Sequence, residues 1–363
     1  MNRPDPPDTE AAVALREKFA AGLAPGSPSP WRTAFARVPR HVCVPRFYRQ
    51  LSDLSWQPVE RGDDGYLESV YADTALTTQL DGRSIPTSSS SRPSLMLSML
   101  DALGALPGQR VLELGTGTGY NLALLADRLG DENLVSIEPD RAIVQAAVQH
   151  LEQAGYRPAV ITGDGTLGHP PGAPYDRIIA TVGLSHIPHA LLAQGMSGTV
   201  IIAPLGHGIV RLTLTGGGCA EGRFLSLPAR FMPVRGPSSP PDFEAVGRAR
   251  PSRTGVAPEE VLGRLQFALS LALPGHTTCT WRGNGERIEA VGIWTPDGSA
   301  VLVHASGEVR QQGARCVWDT VEQVAAALPQ QWAREDFGLT ATPEEQVITY
   351  GGSGGPQWRL PSA

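Results

Sequence analysis

Short apolar runs alternate with helical patterns through the middle of this chain. The first run, at 110–114, is followed by apolar residues at helical spacing. Comparable runs recur at 133–137, 159–162 and 175–180. Short apolar segments separated by helical patterns are typical of βαβ units. The pattern therefore predicts an α/β fold with a parallel sheet, in which the carboxyl ends of the strands lie at one edge.

Glycines follow the first of these strands at alternate positions. Gly115, Gly117 and Gly119 allow a tight turn from strand to helix, and they let a ligand approach the backbone next to unpaired helical N–H groups. We call residues 115–119 the glycine loop. The dinucleotide fingerprint G-x-G-x-x-G would require a last glycine where Tyr120 or Leu122 stands, so the spacing speaks against NAD. An ordinary glycine-rich turn is the alternative.

Acidic residues end the next two strands. Glu138 lies about 20 residues past the glycine loop, where a carboxylate can accept hydrogen bonds from both ribose hydroxyls. Asp164 stands between Gly163 and Gly165, where it can accept an adenine amino group while its neighbours leave room for the ring. Together these positions predict a nucleotide-like ligand at the carboxyl edge of the sheet.

Several motifs in succession give this pattern a family resemblance. VLELGTGTGYNLALLA, SIEPD, GDGTLG, APYDRIIAT, IPHALLAQ and IIAPLG occur in order and close with RFMPVRG. Over residues 31–236 they resemble the protein-L-isoaspartate O-methyltransferase family. The resemblance implies a class I methyltransferase fold dependent on S-adenosyl-L-methionine (SAM), with a Rossmann-like, mixed seven-stranded sheet and S-adenosyl-L-homocysteine as the product. The cofactor-binding residues that it implies are Glu113, Gly115, Thr116, Gly117, Gly119, Glu138, Pro139, Gly163, Asp164 and Gly165.

The stretch DGRSIPTSSSSRP, at 81–93, is predicted to be a loop that carries the methyl-transfer site. A serine run between prolines is also typical of a solvated linker. The family carries T-I-S-x-P here, and alignment on the proline places Ser91 on the family's serine at the methyl-transfer centre. Ser89 then replaces the threonine, and Ser90 replaces the isoleucine. The resemblance thus assigns all three serines to the catalytic site. We call residues 88–91 the serine run.

The chemistry expected of this site needs few groups. A carboxylate is ionised at neutral pH, so its attack on a sulfonium methyl group needs no general base. The protein has to align the two reactants, at roughly 3 Å, and to orient the acceptor oxygen with hydroxyl and N–H donors. Ser91 is therefore predicted to position the acceptor. Glu113 is predicted to orient the glycine loop or the cofactor's amino group, with a purely structural role as the alternative.

Changes in composition divide the chain into four regions. We predict an N-terminal helical cap at 1–80, a SAM-binding methyltransferase domain at 81–236, a Pro/Ser-rich linker at 237–251 and a C-terminal α+β accessory or substrate domain at 252–363. In the last region the patterns predict helices and strands at 261–273 (helix), 277–282, 288–294 and 301–304 (strands) and 320–332 (helix). This region either packs and dimerises or docks a peptide or protein substrate.

Composition limits the partners and the location. The net charge is −6 and there is no basic block, so nothing indicates a nucleic-acid partner. Residues 1–10 are polar and proline-rich, which predicts no signal peptide, no membrane partner and a cytoplasmic location. Four scattered cysteines form no C-x-x-C pair, so neither a disulfide framework nor a metal site is predicted.

Three functions remain open at this stage. The serine run and the long C-terminal region resemble variant isoaspartyl-type methyltransferases found with ATP-grasp ligases that make graspetides in actinobacteria, and with related ribosomal-peptide (RiPP) systems. This resemblance implies methylation of an aspartate side chain in a modified precursor peptide, followed by loss of methanol to an aspartimide (succinimide). The first alternative is an isoaspartate O-methyltransferase acting in protein repair. The second is a non-catalytic SAM-fold scaffold, against which the glycine loop, Glu138 and Asp164 argue.

Overall fold

The computed structural model describes residues 9–23, 28–234, 240–283, 285, 287–352 and 354–361. The chain divides into two compact units. The first comprises Met1–Val182, Pro188–Ala203 and Thr213–Gly218, and the second Gly183–Ile187, Pro204–Leu212 and Cys219–Ala363. In the described part of the chain, no helix combines the length and the apolar character needed to cross a membrane.

The described residues form helices and strands along the whole chain. The helices are α1 (Glu10–Gly22), α2 (Arg32–Arg37), α3 (Arg40–Cys43), α4 (Tyr66–Val70), α5 (Pro93–Leu103), α6 (Tyr120–Leu129), α7 (Arg141–Gln153), α8 (His189–Ala193), α9 (Phe243–Gly247), α10 (Pro258–Leu262), α11 (Gln266–Ala272) and α12 (Val317–Ala327). The strands are β1 (Arg46–Gln50), β2 (Trp56–Glu60), β3 (Leu76–Leu80), β4 (Pro86–Ser90), β5 (Val111–Leu114), β6 (Leu134–Glu138), β7 (Ala159–Thr162), β8 (Tyr175–Ala180), β9 (Gly195–Leu205), β10 (Gly208–Gly216), β11 (Cys219–Phe224), β12 (Pro251–Arg253), β13 (Thr277–Arg282), β14 (Ile288–Trp294), β15 (Ala300–His304), β16 (Glu308–Gln312), β17 (Phe337–Ala341), β18 (Gln346–Tyr350) and β19 (Gln357–Arg359).

The N-terminal part of the first unit is helical only in part. Thr9 caps α1 through a 3.2 Å hydrogen bond from the N–H of Ala12 to its hydroxyl. Beyond α3, however, the chain forms an antiparallel sheet in the order β2-β1-β3-β4. Phe47 and Val59 face each other in the β1–β2 pair, and both are buried. The region predicted as a helical cap therefore contains a sheet, because these alternating apolar residues pair across a hairpin that the sequence analysis did not assign.

Five parallel strands form the centre of the first unit, in the order β9-β8-β5-β6-β7. All four residues of β5 are buried, as expected for a central strand covered by helices on both faces. The bounds of β7 and β8 coincide with the predicted strands. The carboxyl ends of β5, β6 and β7 lie side by side, which places the predicted ligand-binding turns together.

The second unit contains mainly antiparallel strands. One series has the order β19-β18-β17-β11-β10, and a separate five-stranded sheet has the order β12-β16-β15-β14-β13. The parallel strands of the first unit and these antiparallel strands together exceed the seven strands that the family resemblance implies. Within the predicted linker, 237–239 lie outside the described residues, whereas α9 and the start of β12 are regular structure.

Candidate functional site

The glycine loop is fixed at its first residue by the end of β8. Gly115 donates its N–H to the Ile137 carbonyl at 2.8 Å, and its own carbonyl accepts the Thr181 hydroxyl at 2.6 Å. Gly115 has a φ of +89°, and a Cβ atom there would lie 2.9 Å from Thr181 Oγ1. Only glycine therefore fits this position without strain. Thr181 follows β8, and no sequence motif indicates that its hydroxyl holds the glycine loop.

The next two glycines bring the chain into α6. Gly117 and Gly119 have φ values of +52° and +82°, and Gly119 directly precedes the helix. A Cβ atom on Gly119 would approach Leu151 Cγ to 3.2 Å, so this glycine also permits close packing of α6 on α7. The turn therefore has the backbone conformation that a strand-to-helix ligand loop requires.

Glu138 connects the glycine loop to the turn after β6. Its side chain is 8% exposed. One carboxylate oxygen accepts the Gly117 N–H at 3.1 Å, and the other accepts the Asp140 N–H at 3.3 Å. A carboxylate held in this way at the strand end is oriented before any ligand binds. Pro139, which follows it, is exposed.

Asp164 lies in the corresponding turn after β7. One of its carboxylate oxygens accepts both the N–H and the hydroxyl of Thr166, at 2.9 and 2.7 Å. The residue is exposed, whereas the neighbouring Gly163 and Gly165 are half-buried. A Cβ atom on Gly165 would come within 3.3 Å of Leu114 Cγ. The glycine therefore lets this turn pack closely on the end of β5.

Glu113 is connected to the glycine loop by hydrogen bonds between buried side chains. It is fully buried, and its two carboxylate oxygens accept the Asn121 amide at 2.7 Å and the Ser136 hydroxyl at 2.6 Å. The Ser136 hydroxyl also lies 2.6 Å from the hydroxyl of Thr116 in the glycine loop. Burial raises the pKa of Glu113 to about 7, with a smaller contribution from the charge of Glu138 and opposition from the two hydrogen bonds. This geometry supports the loop-orienting role rather than a direct contact with the cofactor.

The raised pKa of Glu113 predicts a pH-dependent stability. The folded protein holds this proton up to pH of about 7, whereas the ordinary value is 4.5. The free energy of unfolding should therefore fall as pH rises between these values, because the folded state binds more protons. Glu113→Gln removes the titration. Relative to this variant, the wild type should lose on the order of 3 kcal/mol between pH 4.5 and 8 in urea unfolding. A difference between the two proteins that is constant with pH would contradict the prediction.

The serine run is not a loop. Most of it belongs to β4, which pairs with β3 so that Ser89 lies opposite Thr77 and Ser90 opposite Leu76. Successive side chains of a strand point to opposite faces. Accordingly Ser88 and Ser90 are buried, while Ser89 and Ser91 are half-buried. The predictions of a loop at 81–93 and of a solvated linker are therefore both wrong for this segment.

The alternation separates the three serines that the resemblance assigned to catalysis. The Ser90 hydroxyl is 3.3 Å from both Nε and Nη2 of Arg40 and is turned into the protein. This placement corrects the assignment of Ser90 as a donor to the acceptor. Ser89 and Ser91 lie on the other side of the strand, and their catalytic role stays a prediction.

The serine run lies against the glycine loop. A Cβ atom on Gly117 would be 3.5 Å from the Ser89 carbonyl oxygen and 3.9 Å from Ser88 Oγ. A second connection runs through Gln79 of β3, whose amide donates to Asp140 Oδ2 at 3.2 Å while its oxygen accepts the Thr87 hydroxyl at 2.6 Å. The fold thus brings the predicted acceptor segment to the predicted cofactor segment.

The residues at this edge suit a nucleotide cofactor such as SAM. Three glycines with positive φ give the turn from strand to helix its conformation, and two carboxylates follow the neighbouring strands at the spacing expected for ribose and adenine contacts. A metal would need a different donor set. Among the described residues, no group of three or more His, Cys, Asp or Glu side chains is placed to hold one.

Comparisons with known proteins find similar methyltransferases. The family model described as protein-L-isoaspartate(D-aspartate) O-methyltransferase (PCMT) matches residues 57–215. Protein-L-isoaspartate O-methyltransferase 1 of Archaeoglobus fulgidus is 35% identical over 176 residues, which cover 48% of this chain and 70% of that protein. The Thermotoga maritima protein-L-isoaspartate O-methyltransferase is 38% identical over 141 residues, 38% of this chain and 44% of that protein. A solved structure described as a protein-L-isoaspartate O-methyltransferase is similar over 96% of this chain and 100% of its own, with a TM-score of 0.54 and 23% identity.

Proposed function

Because the chain belongs to the protein-L-isoaspartate O-methyltransferase family, we propose that it transfers a methyl group from SAM to the free carboxylate of isoaspartyl residues in peptides or proteins. The class I SAM-dependent methyltransferase fold predicted from the sequence is confirmed. The predicted enzyme class, a SAM-dependent protein carboxyl O-methyltransferase, and the SAM cofactor are confirmed as well.

One observation carries the assignment of the site. The serine run reaches the glycine loop at Gly117, where the Ser89 carbonyl oxygen is 3.5 Å from the position of a Cβ atom. The serine run is thereby placed next to the segment expected to hold the cofactor. This arrangement supports transfer between two bound molecules more than binding of the cofactor alone, which is all that a scaffold would need.

The residues of the chain have separate tasks in this proposal. SAM, when bound, supplies an electrophilic methyl group. Glu138 and Asp164 hold the ribose and the adenine, and the glycine loop lets the backbone approach the cofactor. Ser89 and Ser91 donate hydrogen bonds that orient the acceptor carboxylate. No residue has to remove a proton from the acceptor, since an isoaspartyl carboxylate is ionised at neutral pH.

Two sequence features, the serine run and the long C-terminal region, favoured methylation of a modified precursor peptide, which we call the tailoring function. Neither feature supports it once the structure is considered. Ser90 replaces the family's isoleucine, but it points to Arg40, so this polar substitution adds no donor on the acceptor side. The long C-terminal region also has a counterpart in fold, because the similar solved structure spans 96% of this chain. Methylation of aspartate in a graspetide precursor, with aspartimide formation, is therefore kept only as an outcome of the test below. The cytoplasmic location and substrate docking by 252–363 stay predictions.

A matched pair of peptides tests the proposal. Both have one sequence, with isoaspartate at the central position in one and ordinary aspartate in the other. The enzyme with radiolabelled SAM should methylate the isoaspartyl peptide with a kcat/KM higher by on the order of 10²-fold, because the aligned donors fit one carboxylate presentation. The product should then lose methanol to a cyclic imide, visible by mass spectrometry.

Two other outcomes would contradict it. If only a precursor peptide already crosslinked by an ATP-grasp ligase gained a methyl group, the tailoring function would replace isoaspartate methylation. If SAM bound in calorimetry but no peptide of either kind were methylated, the scaffold interpretation would gain support. A Glu138→Ala control should lower transfer to the two peptides alike at a SAM concentration that does not saturate the variant.

A further inference from the structure

Arg40, the first residue of α3, is a buried cation beneath the serine run. Its side chain is fully buried. One terminal nitrogen donates to the carbonyl oxygens of Val70 at 2.9 Å and Ala72 at 3.1 Å, and the other donates to that of Thr74 at 3.0 Å. Arg40 thereby binds three carbonyl groups of the segment that leads from α4 into β3.

The same guanidinium group also holds the end of β4. It donates to the Ser91 carbonyl at 3.2 Å, to the Ser90 carbonyl at 3.4 Å and to the Ser90 hydroxyl at 3.3 Å. The guanidinium carbon lies 5.7 Å from the centre of the Tyr120 ring, next to the glycine loop. Arg40 is therefore the common partner of the segment at 70–74 and the serine run.

A third connection joins the segment at 70–74 to helix α5. Asp73, within the segment at 70–74, accepts the N–H of Ser94 at 2.8 Å, in the first turn of α5. Helix α5 begins at Pro93, two residues after Ser91. Asp73 therefore holds the start of this helix, while Arg40 holds the end of β4. Moreover, all the hydrogen bonds that Arg40 donates to described residues go to neutral oxygens. Burying a cation whose hydrogen-bond partners are all neutral is costly, even with the Asp73 carboxylate near enough to act through its charge, so these hydrogen bonds need good geometry to offset that cost.

We propose that Arg40 is a positioning residue for methyl transfer, acting through the serine run. By holding Ser90 and the Ser91 carbonyl on the buried side of the strand, it fixes Ser89 and Ser91 on the opposite side. This inference rests on the proposed function, in which those two serines orient the acceptor. An acceptor displaced by as little as 1 Å can react about 10²-fold more slowly, so loss of this anchor should affect the rate more than the affinity.

Arg40→Lys tests the inference, because it keeps the charge but cannot reach so many oxygens at once. With saturating SAM and an isoaspartyl peptide, kcat should fall by at least about tenfold, while KM and the SAM Kd change by no more than about threefold. Arg16→Lys is the matched control. Arg16 is also buried, at 5% exposure, and its Nε donates to the Ala36 carbonyl at 2.7 Å. This control should lower the melting temperature but leave kcat within about twofold.

Hydrogen exchange gives a readout that does not depend on activity. In Arg40→Lys the amides at 87–92 should exchange at least about tenfold faster than in the wild type, whereas Arg16→Lys should leave them unchanged. If Arg40→Lys does not fold, Ser90→Ala is the second variant, because it removes just one partner of Arg40, the Ser90 hydroxyl. It should lower kcat severalfold and leave the SAM affinity unchanged. Unchanged kcat and unchanged exchange in a folded Arg40→Lys or Ser90→Ala would overturn the inference. Failure of the proposed function would instead appear as no methyl transfer by the wild type, and the exchange data would still decide the role of Arg40.

Discussion

Glu138→Ala should weaken SAM binding by about 10- to 100-fold, or about 1.5 to 3 kcal/mol. The variant loses the carboxylate that we propose binds the ribose hydroxyls, and it also leaves the Gly117 N–H without the acceptor that it has at 3.1 Å. Glu138→Gln keeps an oxygen for Gly117 but loses the charge, so it should lie between the wild type and Glu138→Ala. Isothermal titration calorimetry with SAM measures all three proteins.

Asp164 and Glu132 provide the comparisons for this experiment. Asp164→Ala should weaken SAM by less, about three- to tenfold, because the side chain is exposed and solvent competes for its hydrogen bonds. Glu132 is an exposed acid just before β6, so Glu132→Ala should bind SAM like the wild type. Unchanged affinity in both Glu138→Ala and Asp164→Ala would mean that the cofactor binds elsewhere.

The cofactor edge of the sheet was predictable because its signals are local. A short apolar run, a glycine and an acid within a few residues define each turn, and the bounds of β7 and β8 agree with the prediction. The positive φ values of Gly115, Gly117 and Gly119 follow from the same short stretch. Local composition could not show that the Thr181 hydroxyl, which follows β8, holds the glycine loop.

The serine run was predicted wrongly because distant residues determine its structure. Serines between prolines have the composition of a linker. What makes them a strand is pairing with β3, together with the hydrogen bonds from Arg40, which lies 50 residues earlier than Ser90. In the sequence Arg40 is one of many arginines, and its local sign is a place between the apolar residues Val38 and Val42.

The C-terminal region shows the same division between local and distant signals. β13 and β14 have the predicted bounds, since their alternating or apolar runs are bounded by turn residues. β16 was not predicted because Glu308–Gln312 is mostly polar. β17 is paired with β11 over a separation of more than a hundred residues, for example Ala220 with Ala341, and no local pattern indicates such a partner.

Ser91→Ala should lower kcat toward an isoaspartyl peptide by about 10- to 100-fold and leave the SAM Kd within about twofold. A single neutral donor removed from a reacting site costs this much when it acts mainly in the transition state. Ser89→Ala should show the same separation of kcat from SAM affinity, because Ser89 lies on the same side of the strand as Ser91. Ser98→Ala is the matched control, since its hydroxyl donates to the Ser94 carbonyl, at 2.9 Å within α5, and its kcat should stay at the wild-type value. Steady-state kinetics at saturating SAM, with calorimetry on the same preparations, measures each effect. Normal turnover in both Ser89→Ala and Ser91→Ala would show that the serine run serves the fold alone and that the acceptor is oriented by other groups.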